Sequence, residues 1–136
     1  MGKKRDLLMK DISSRLSYGI ICRVKYIINN ETTDGEDVES EVDDKIIAID
    51  TEYNEVKTEW LNEWNSIDNI RPYLRPLSSM TEEEKDEYNY GLTYVDIPLT
   101  EDTACRLIDW LNKHMFDYRV LIEKGLVLEA PEGMYK

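Results

Sequence analysis

The stretch of sequence that decides the fold spans residues 20–28 and reads IICRVKYII. From Ile20 onward, every second residue is apolar or aromatic, whereas Arg23 and Lys25 fall between them. A period of two is typical of a β-strand that buries one face. The stretch therefore predicts a half-buried strand, around which a sheet can form.

Two later runs share this strand character. Residues 45–50 read KIIAID and predict a second strand. Residues 55–60 read EVKTEW and alternate again, which places Val56, Thr58 and Trp60 on one face. Short antiparallel strands joined by tight turns make a meander, which can curl into a small half-open barrel.

The polar segment after the first strand carries a hairpin signal. Asp34-Gly35 is a favoured turn dipeptide in hairpins. Residues 36–42 then predict a return strand, with Val38 and Val42 facing inward.

Two helices are expected to cover the sheet. Residues 5–16 repeat apolar side chains every four positions, and Gly19 follows where a left-handed residue can end the helix. Residues 101–115 predict the most clearly amphipathic helix, with Thr100 as its N-cap. The polar residues of the first helix are expected on its outer face, namely Lys10, Asp11, Ser14 and Arg15.

Shorter elements connect the sheet to the second helix. Residues 67–77 contain two prolines, which favours an extended edge or linker over a central strand. Thr81 and Glu84 match a capping box, so a short helix is expected to begin there and fade over residues 88–91. Residues 92–98 predict another edge strand.

The C-terminal part is expected to return to the sheet. Asp117 can cap one or two helical turns over residues 118–124, which Gly125 would end. The apolar run at residues 126–128 then packs against the body of the protein, before Pro131.

Together these elements predict one α+β domain over residues 1–136, with a small bent antiparallel sheet, a meander or half-open barrel, packed by an N-terminal helix and C-terminal helices. Residues 1–77 hold the first helix and the meander, and residues 78–136 form a mainly helical part that packs on it. The expected core consists of Leu8, Ile12, Leu16, Cys22, Val24, Ile47, Ile49, Val56, Trp60, Leu107, Ile108 and Leu111.

The charge of the chain is negative and unevenly placed. Its 136 residues include 17 Lys and Arg against 29 Asp and Glu, a net charge of −12. Residues 26–70 carry −12 and residues 71–136 carry −5, whereas residues 1–25 carry +5. This balance argues against direct nucleic-acid binding, which relies on clustered positive charge. The densest part, from Asp34 to Asp44, is either a solvated loop or an acidic docking surface.

The composition also bears on the compartment. No apolar run approaches the roughly 20 residues that cross a bilayer, and the N-terminus lacks the apolar stretch of a signal peptide. Two cysteines are too few to staple a small secreted fold. We therefore expect a cytoplasmic protein with no membrane contact.

No pattern predicts a catalytic, cofactor-binding or metal site. Cys22, Cys105 and His114 are too few and too widely spaced for structural zinc. Cys105 and His114 point to opposite sides of one predicted helix, and Cys22 lies on the apolar face of its strand, as a buried structural thiol would. The acidic segment fails the EF-hand pattern, and the glycines form no phosphate-binding motif.

Two groups of residues are candidates for binding a protein partner, because Trp, Tyr and Arg commonly anchor interfaces. A structural role is the alternative for both groups: Trp60 would close the core, and Trp110 and His114 would flank it. The first group comprises Trp60, Trp64, Arg71, Tyr73 and Arg75, and the second comprises Arg106, Trp110 and His114.

Three segments resemble those of a known group of proteins. They read RPYLRPLSSMTEEE at residues 71–84, WLNKHMFDYR at residues 110–119 and LIEKGLVLEAP at residues 121–131, and they accompany LSYG at residues 16–19. They are similar to a family of small uncharacterised proteins from Bacteroides and related gut bacteria, often encoded in prophages or other mobile elements. The resemblance covers most of the chain. It implies a bacterial or phage-infected cytosol and carries no activity.

These patterns favour a non-enzymatic accessory protein that binds another protein through the surface from Trp60 to Arg75. A second hypothesis is an acidic mimic of nucleic acid that inhibits a DNA-binding or defence protein, with the carboxylates of residues 31–68 lined along one face. A third is a small hydrolase or transferase with a pocket around His114. The sequence leaves the partner and the oligomeric state open.

Overall fold

The computed structural model describes residues 2–29, 34–93 and 101–135. The fold is α+β, as predicted, with six strands in one open, mostly antiparallel sheet of order β4-β3-β2-β1-β5-β6. The elements are α1 (Gly2–Arg15), β1 (Ile21–Ile28), β2 (Val38–Asp50), β3 (Glu55–Thr58), β4 (Trp64–Ser66), β5 (Ile70–Leu74), α2 (Glu82–Thr93), α3 (Glu101–Lys113) and β6 (Leu128–Glu129).

β1 organises the sheet, as its alternation predicts. It pairs with β2 along its whole length and with β5 at Cys22–Val24, antiparallel in both cases. Cys22 and Val24 are fully buried, whereas Arg23 and Lys25 are exposed. The sheet therefore has a covered face, on the side of Cys22 and Val24, and an open face, on the side of Arg23 and Lys25.

β2 is one strand of 13 residues where two were predicted. Its register with β3 shifts between Ile46 and Ala48, which identifies a β-bulge. Ile46 is buried, whereas Ile47 is 43% exposed, so the expected core position of Ile47 is wrong. Before the bulge, the even-numbered residues of β2 point to the covered face, and after it the odd-numbered residues do. Ile49 therefore packs against the core.

The hairpin between β1 and β2 confirms one expectation and corrects another. Asp34 and Gly35 lie in a turn with positive φ angles of 54° and 76°. Val42 packs against the core, but Val38 is exposed and does not face inward as predicted. Val38 lies opposite Ile28, and neither β3 nor β5 extends far enough along the sheet to cover it.

β5 lies between β1 and β6, inside the sheet, although its prolines predicted an edge or linker. Pro72 stands opposite Cys22, and β6 pairs only with Tyr73 and Leu74. Proline lacks a backbone N–H. Because β6 is two residues long and does not reach Pro72, the missing donor costs the sheet no hydrogen bond on that side.

The capping box of α2 is confirmed. The Glu84 N–H donates to Thr81 Oγ1 at 3.2 Å, and the Thr81 N–H donates to Glu84 Oε1 at 3.0 Å. α2 continues to Thr93, beyond the expected end at residues 88–91. The edge strand predicted for residues 92–98 therefore starts inside a helix, and residues 94–98 and the Thr100 cap lie outside the described residues.

α3 contributes less to the core than its apolar stripe predicts. Leu111 is buried, but Leu107 is only half-buried and Ile108 is exposed. Among the described side chains of α3, the burial is concentrated at the C-terminal end of the helix, because that end alone reaches the core.

The segment after α3 forms turns in place of the helical turns predicted for residues 118–124. Asp117 nevertheless caps backbone donors there. Its carboxylate accepts the N–H groups of Leu121 and Ile122, each at 2.9 Å.

α1 buries an ion pair where an exposed polar face was predicted. Asp11 and Arg15 are both 0% exposed. Arg15 Nε donates to Asp11 Oδ2 at 2.9 Å, and its Nη2 donates to the Phe116 carbonyl at 2.7 Å. Arg119 Nη1 donates to the same carboxylate at 2.7 Å. The C-terminal segment thus covers this side of α1, which the periodicity of the helix alone could not show.

Most of the remaining predicted core is confirmed. Trp60 is the other clear exception, because it is exposed. The residues that are buried as predicted are Leu8, Ile12, Cys22, Val24, Val56 and Leu111, and Leu16 packs against them.

Replacing Asp11 with Asn should destabilise the protein strongly, because Arg15 would stay buried without its counter-charge. Breaking a buried ion pair from one side costs about 3–5 kcal/mol. The matched control is Asp6→Asn, the same change at an exposed position of α1, which should alter the free energy of unfolding by less than about 0.5 kcal/mol. Urea unfolding measures both, and equal effects of the two variants would contradict the structural role of Asp11.

Candidate functional site

A buried carboxylate fixes the turn that follows β3. Asp44 lies on the covered face of β2 and is buried. Its side chain accepts the backbone N–H groups of Trp60 at 3.0 Å and of Leu61 at 3.2 Å. Asn62 then adopts a positive φ of 53°, and its N–H donates to the Thr58 carbonyl at 2.9 Å. β3 therefore ends at Thr58, and the chain turns away instead of continuing along β2.

The same hydrogen bonds keep Asp44 charged. Burial by itself raises the pKa of a carboxyl group. The Thr58 hydroxyl and the N–H groups of Trp60 and Leu61 outweigh that effect and hold the pKa of Asp44 below its ordinary value.

Trp60 is 66% exposed although its backbone is fixed. The prediction that Trp60 lies in the core is wrong because β3 ends at Thr58. Trp60 belongs to the turn that follows, so the alternation of the strand no longer sets the direction of its side chain. The indole contacts Tyr26 edge-on, with ring centroids 6.2 Å apart. Tyr26 lies on the covered face of β1, so the indole reaches across β2 outside the core. An exposed Trp on a rigid backbone is typical of interface anchors.

Residues 25–28 and 38–43 form a part of the β1–β2 pair that we call the projecting hairpin. β5 pairs with β1 only as far as Val24, and β3 pairs with β2 only from Ile46 onward. The projecting hairpin therefore extends beyond its neighbours in the sheet. It exposes apolar side chains, of which Ile27 is 67% exposed.

On the open face, ion pairs join β1 and β2 in this hairpin and at Arg23, just before it. Arg23 lies 3.5 Å from Asp43 and 3.9 Å from Glu41, and Lys25 lies 3.8 Å from Glu39. All five side chains are between 43% and 68% exposed, so each pair contributes little to stability. The three acids of these pairs lie in β2, at the side of the sheet away from β5, whereas their bases lie in β1 and Arg71 of β5 adds a further base opposite Arg23.

The sheet divides the predicted surface from Trp60 to Arg75. Trp60 lies on the side of the covered face, whereas Trp64 stands opposite Lys57 on the open face and is 45% exposed. Arg71 is exposed on the open face, opposite Arg23. Tyr73 is buried, and its hydroxyl donates to Asp43 at 2.8 Å. These residues therefore do not form one continuous surface.

Arg75 belongs to a different cluster, which joins β5 to the helices. Its guanidinium donates to both carboxylate oxygens of Glu84, at 2.6 and 2.7 Å, and lies 4.2 Å from the centroid of the Phe116 ring. The hydrogen bonds from Arg75 lower the pKa of Glu84 to about 2, against the opposing effect of burial. Arg75 thus holds the start of α2 against the end of α3.

Trp110 and His114 extend this cluster along α3. Their rings are 4.4 Å apart, and Trp110 stacks on Phe116 at 5.7 Å. Trp110 Nε1 donates to Glu87 at 3.0 Å, and His114 Nδ1 lies 3.5 Å from Glu84 Oε2. Both residues flank the core, which was the structural alternative for them. Arg106 is exposed on α3.

The described carboxylates of residues 31–68 do not share one face. Glu39 and Glu41 are on the open face, whereas Asp44 is on the covered face. Asp50 accepts the N–H groups of Glu52 and Tyr53 in the turn after β2. Asp68 pairs with Arg5 of α1.

The two cysteines differ in their exposure. Cys22 is buried and Cys105 is exposed. Burial, together with the charges of Asp44 and Asp43, raises the pKa of Cys22 to about 12, so it is a neutral thiol at neutral pH. Within the described parts of the chain, no three His, Cys, Asp or Glu side chains lie close enough to hold a metal ion.

Sequence reasoning missed Asp44 and Tyr26 as parts of this site. The signal for Asp44 was its position, because it shares a strand face with the apolar Val42 and Ile46. A carboxylate on an apolar face needs hydrogen-bond donors. The donors come from the turn at Trp60, which no local pattern relates to β2.

Comparisons of the chain with protein-family models, with curated proteins and with solved structures gave no match. None of the helices in the described ranges is both long and apolar enough to cross a bilayer.

Replacing Asp44 with Asn should loosen the turn that carries Trp60. An amide offers one acceptor oxygen and no charge, so we expect a loss of about 1–3 kcal/mol and at least tenfold faster hydrogen exchange at the Trp60 and Leu61 amides. Glu59→Gln is the matched control, since Glu59 is an exposed carboxyl in the same turn. Amide exchange followed by NMR tests this, and unchanged exchange in Asp44→Asn would show that the turn is held by other contacts.

Glu84→Gln should remove a pH dependence of stability. Because the folded-state pKa of Glu84 is lowered to about 2, its stabilisation is complete above the ordinary value near 4.5 and disappears as pH falls towards 2. The variant should be less stable by about 2 kcal/mol at pH 7, and the difference should shrink between pH 4.5 and 2. Denaturant titrations over this range measure it. For Glu83→Gln, a change at an exposed neighbouring position, the free energy of unfolding should follow that of the unchanged protein at every pH. If the stability difference between Glu84→Gln and the unchanged protein does not change with pH, the role assigned to Glu84 is wrong.

Proposed function

We propose that this protein is a non-enzymatic accessory protein that binds another protein, with Trp60 as the anchor of the contact. The observation that carries this proposal is the exposed indole on a turn fixed by the buried carboxylate of Asp44. Burying the charge of Asp44 costs free energy. The hydrogen bonds of this carboxylate fix the backbone of the turn from which the Trp60 indole extends into solvent.

The energetics of this arrangement favour binding. Covering the exposed part of an indole releases about 3 kcal/mol of hydrophobic free energy. Because two backbone hydrogen bonds to Asp44, from Trp60 and Leu61, already fix the turn, little conformational entropy remains to be lost when a partner binds. Tyr26, which contacts the indole, adds apolar surface, and Val38 is exposed further along the same face of the projecting hairpin.

The surrounding charge favours a basic partner. Residues 26–70 carry a net charge of −12, and Glu59 and Glu63 flank Trp60 at exposed positions. An acidic rim around an apolar anchor attracts a positively charged surface and speeds the encounter. The setting implied by the resemblance, the cytosol of a bacterium or of a phage-infected cell, is part of this proposal.

The two other hypotheses receive less support. An acidic mimic of nucleic acid needs carboxylates along one face, but Asp44, Asp50 and Asp68 serve the fold at separate places. A hydrolase or transferase centred on His114 needs an available imidazole, whereas this ring packs against Trp110 beside the Arg75–Glu84 pair.

Trp60→Ala should abolish partner binding without harming the fold, and Trp64→Ala is the matched control on the opposite face of the sheet. The test captures proteins from a Bacteroides lysate with the unchanged protein and both variants, at low and high salt, with quantitative mass spectrometry. For each protein that Trp64→Ala still captures, we expect the captured amount to be at least tenfold lower with Trp60→Ala. We also expect the captured amount to decrease as the salt concentration rises. Equal retention by both variants would contradict the proposal.

A further inference from the structure

The edge of β2 in the projecting hairpin is open at the position where β3 would continue. β3 ends at Thr58, opposite Ile46, because the chain then turns to let Trp60 and Leu61 donate their N–H groups to Asp44. Among the described residues, none pairs with the backbone of residues 38–43 on that side. The vacant strand position is therefore created by the same turn that presents Trp60.

The backbone groups that face the vacancy can be identified from the pairing. The Glu59 N–H donates to the Lys45 carbonyl at 2.9 Å, so Lys45 directs its backbone towards the β3 side. The Ile46 N–H donates to the Ile20 carbonyl at 3.0 Å, on the β1 side. Because these directions alternate along a strand, Asp43, Glu41 and Glu39 present their backbone groups to the open edge.

The side chains beside the vacancy define what could fill it. Residues directly opposite each other in neighbouring strands point to the same face. A strand added to this edge would therefore place the residues opposite Asp43, Glu41 and Glu39 on the open face, directly beside these three acids. The residues between them would lie on the covered side, towards Trp60 and Val42.

From this geometry we infer that the edge of β2 at residues 38–43 binds an extended segment of a partner protein by strand addition, and that the segment alternates basic and apolar residues. The inference rests on the proposed function and specifies the kind of partner. Backbone hydrogen bonds supply the contact along the edge, the acids select the basic residues, and Trp60 contacts the apolar ones.

Charge argues for such a segment over a second copy of the chain. Pairing this edge with its own copy would bring Glu39, Glu41 and Asp43 of one chain beside the same acids of the other. Like charges directly across a strand pair are destabilising. A segment that alternates basic and apolar residues would instead place its basic residues directly beside the three acids of β2.

The test uses an eight-residue peptide of alternating Lys and Val, blocked at both ends, with binding followed by titration calorimetry and by the amide NMR signals of the full chain. Three control peptides accompany it. One carries Glu in place of Lys, one groups the same Lys and Val residues into two blocks, and one has its backbone nitrogens methylated at alternate positions. Glu41→Lys is the protein variant, and Glu52→Lys is its matched control, because Glu52 is an exposed acid in the turn after β2.

We expect the alternating peptide to bind, to shift the amide signals of Glu39, Glu41 and Asp43, and to bind at least tenfold more weakly after any of the three peptide changes or after Glu41→Lys. Glu52→Lys should bind as the unchanged protein does. The inference is overturned by absence of binding, by equal binding of the methylated or blocked-pattern peptide, or by a dimer in sedimentation that Glu41→Lys dissociates. If peptides fail while captured partners still depend on Trp60, the proposed function stands and only strand addition is wrong.

Discussion

The buried carboxylate of Asp11 is the contact on which the arrangement of this protein depends. It receives two arginines from different parts of the chain, Arg15 one turn along α1 and Arg119 from the C-terminal segment. Arg15 also donates to the Phe116 carbonyl, and its guanidinium lies 5.1 Å from the centroid of the Tyr118 ring. Removing either partner of a buried ion pair leaves an uncompensated charge in the interior and strongly destabilises the fold. The network therefore ties the first helix to the last third of the chain and closes the core between them.

Asp44 repeats the same principle on the sheet. A carboxylate that faces the core must collect donors, and Asp44 collects them from the backbone of Trp60 and Leu61. The result is a strand that ends early, an indole held in solvent and an open edge along β2. Asp44 needs hydrogen-bond donors because it is buried, and the turn that supplies them also forms the surface that we propose for binding.

The elements with strong periodicity were predictable from the sequence. β1 alternates over its whole length, and Arg23 and Lys25 are exposed as expected. The capping box at Thr81 and Glu84 was equally clear, because both of its partners lie within four residues. The bulge at Ile47 was not predictable, since an extra residue in one strand is defined only by its partner strand. The placement of Ile108 failed for a related reason: an amphipathic stripe shows which face of a helix is apolar and not how much of its length reaches the core.

The candidate site, too, was predictable only in part from the sequence. The residue types that anchor interfaces were visible in the sequence, but their grouping was not, because Trp60 and Trp64 lie on opposite faces of the sheet and Arg75 stacks on Phe116. By itself the sequence determined the α+β class, the acidity of the middle segment and the burial of β1, since periodicity and composition act locally. Only the tertiary structure decided which acids are buried, which tryptophan is exposed and which strand edge stays open. Each of these depends on a contact between residues far apart in the chain, and no local pattern specifies such a contact.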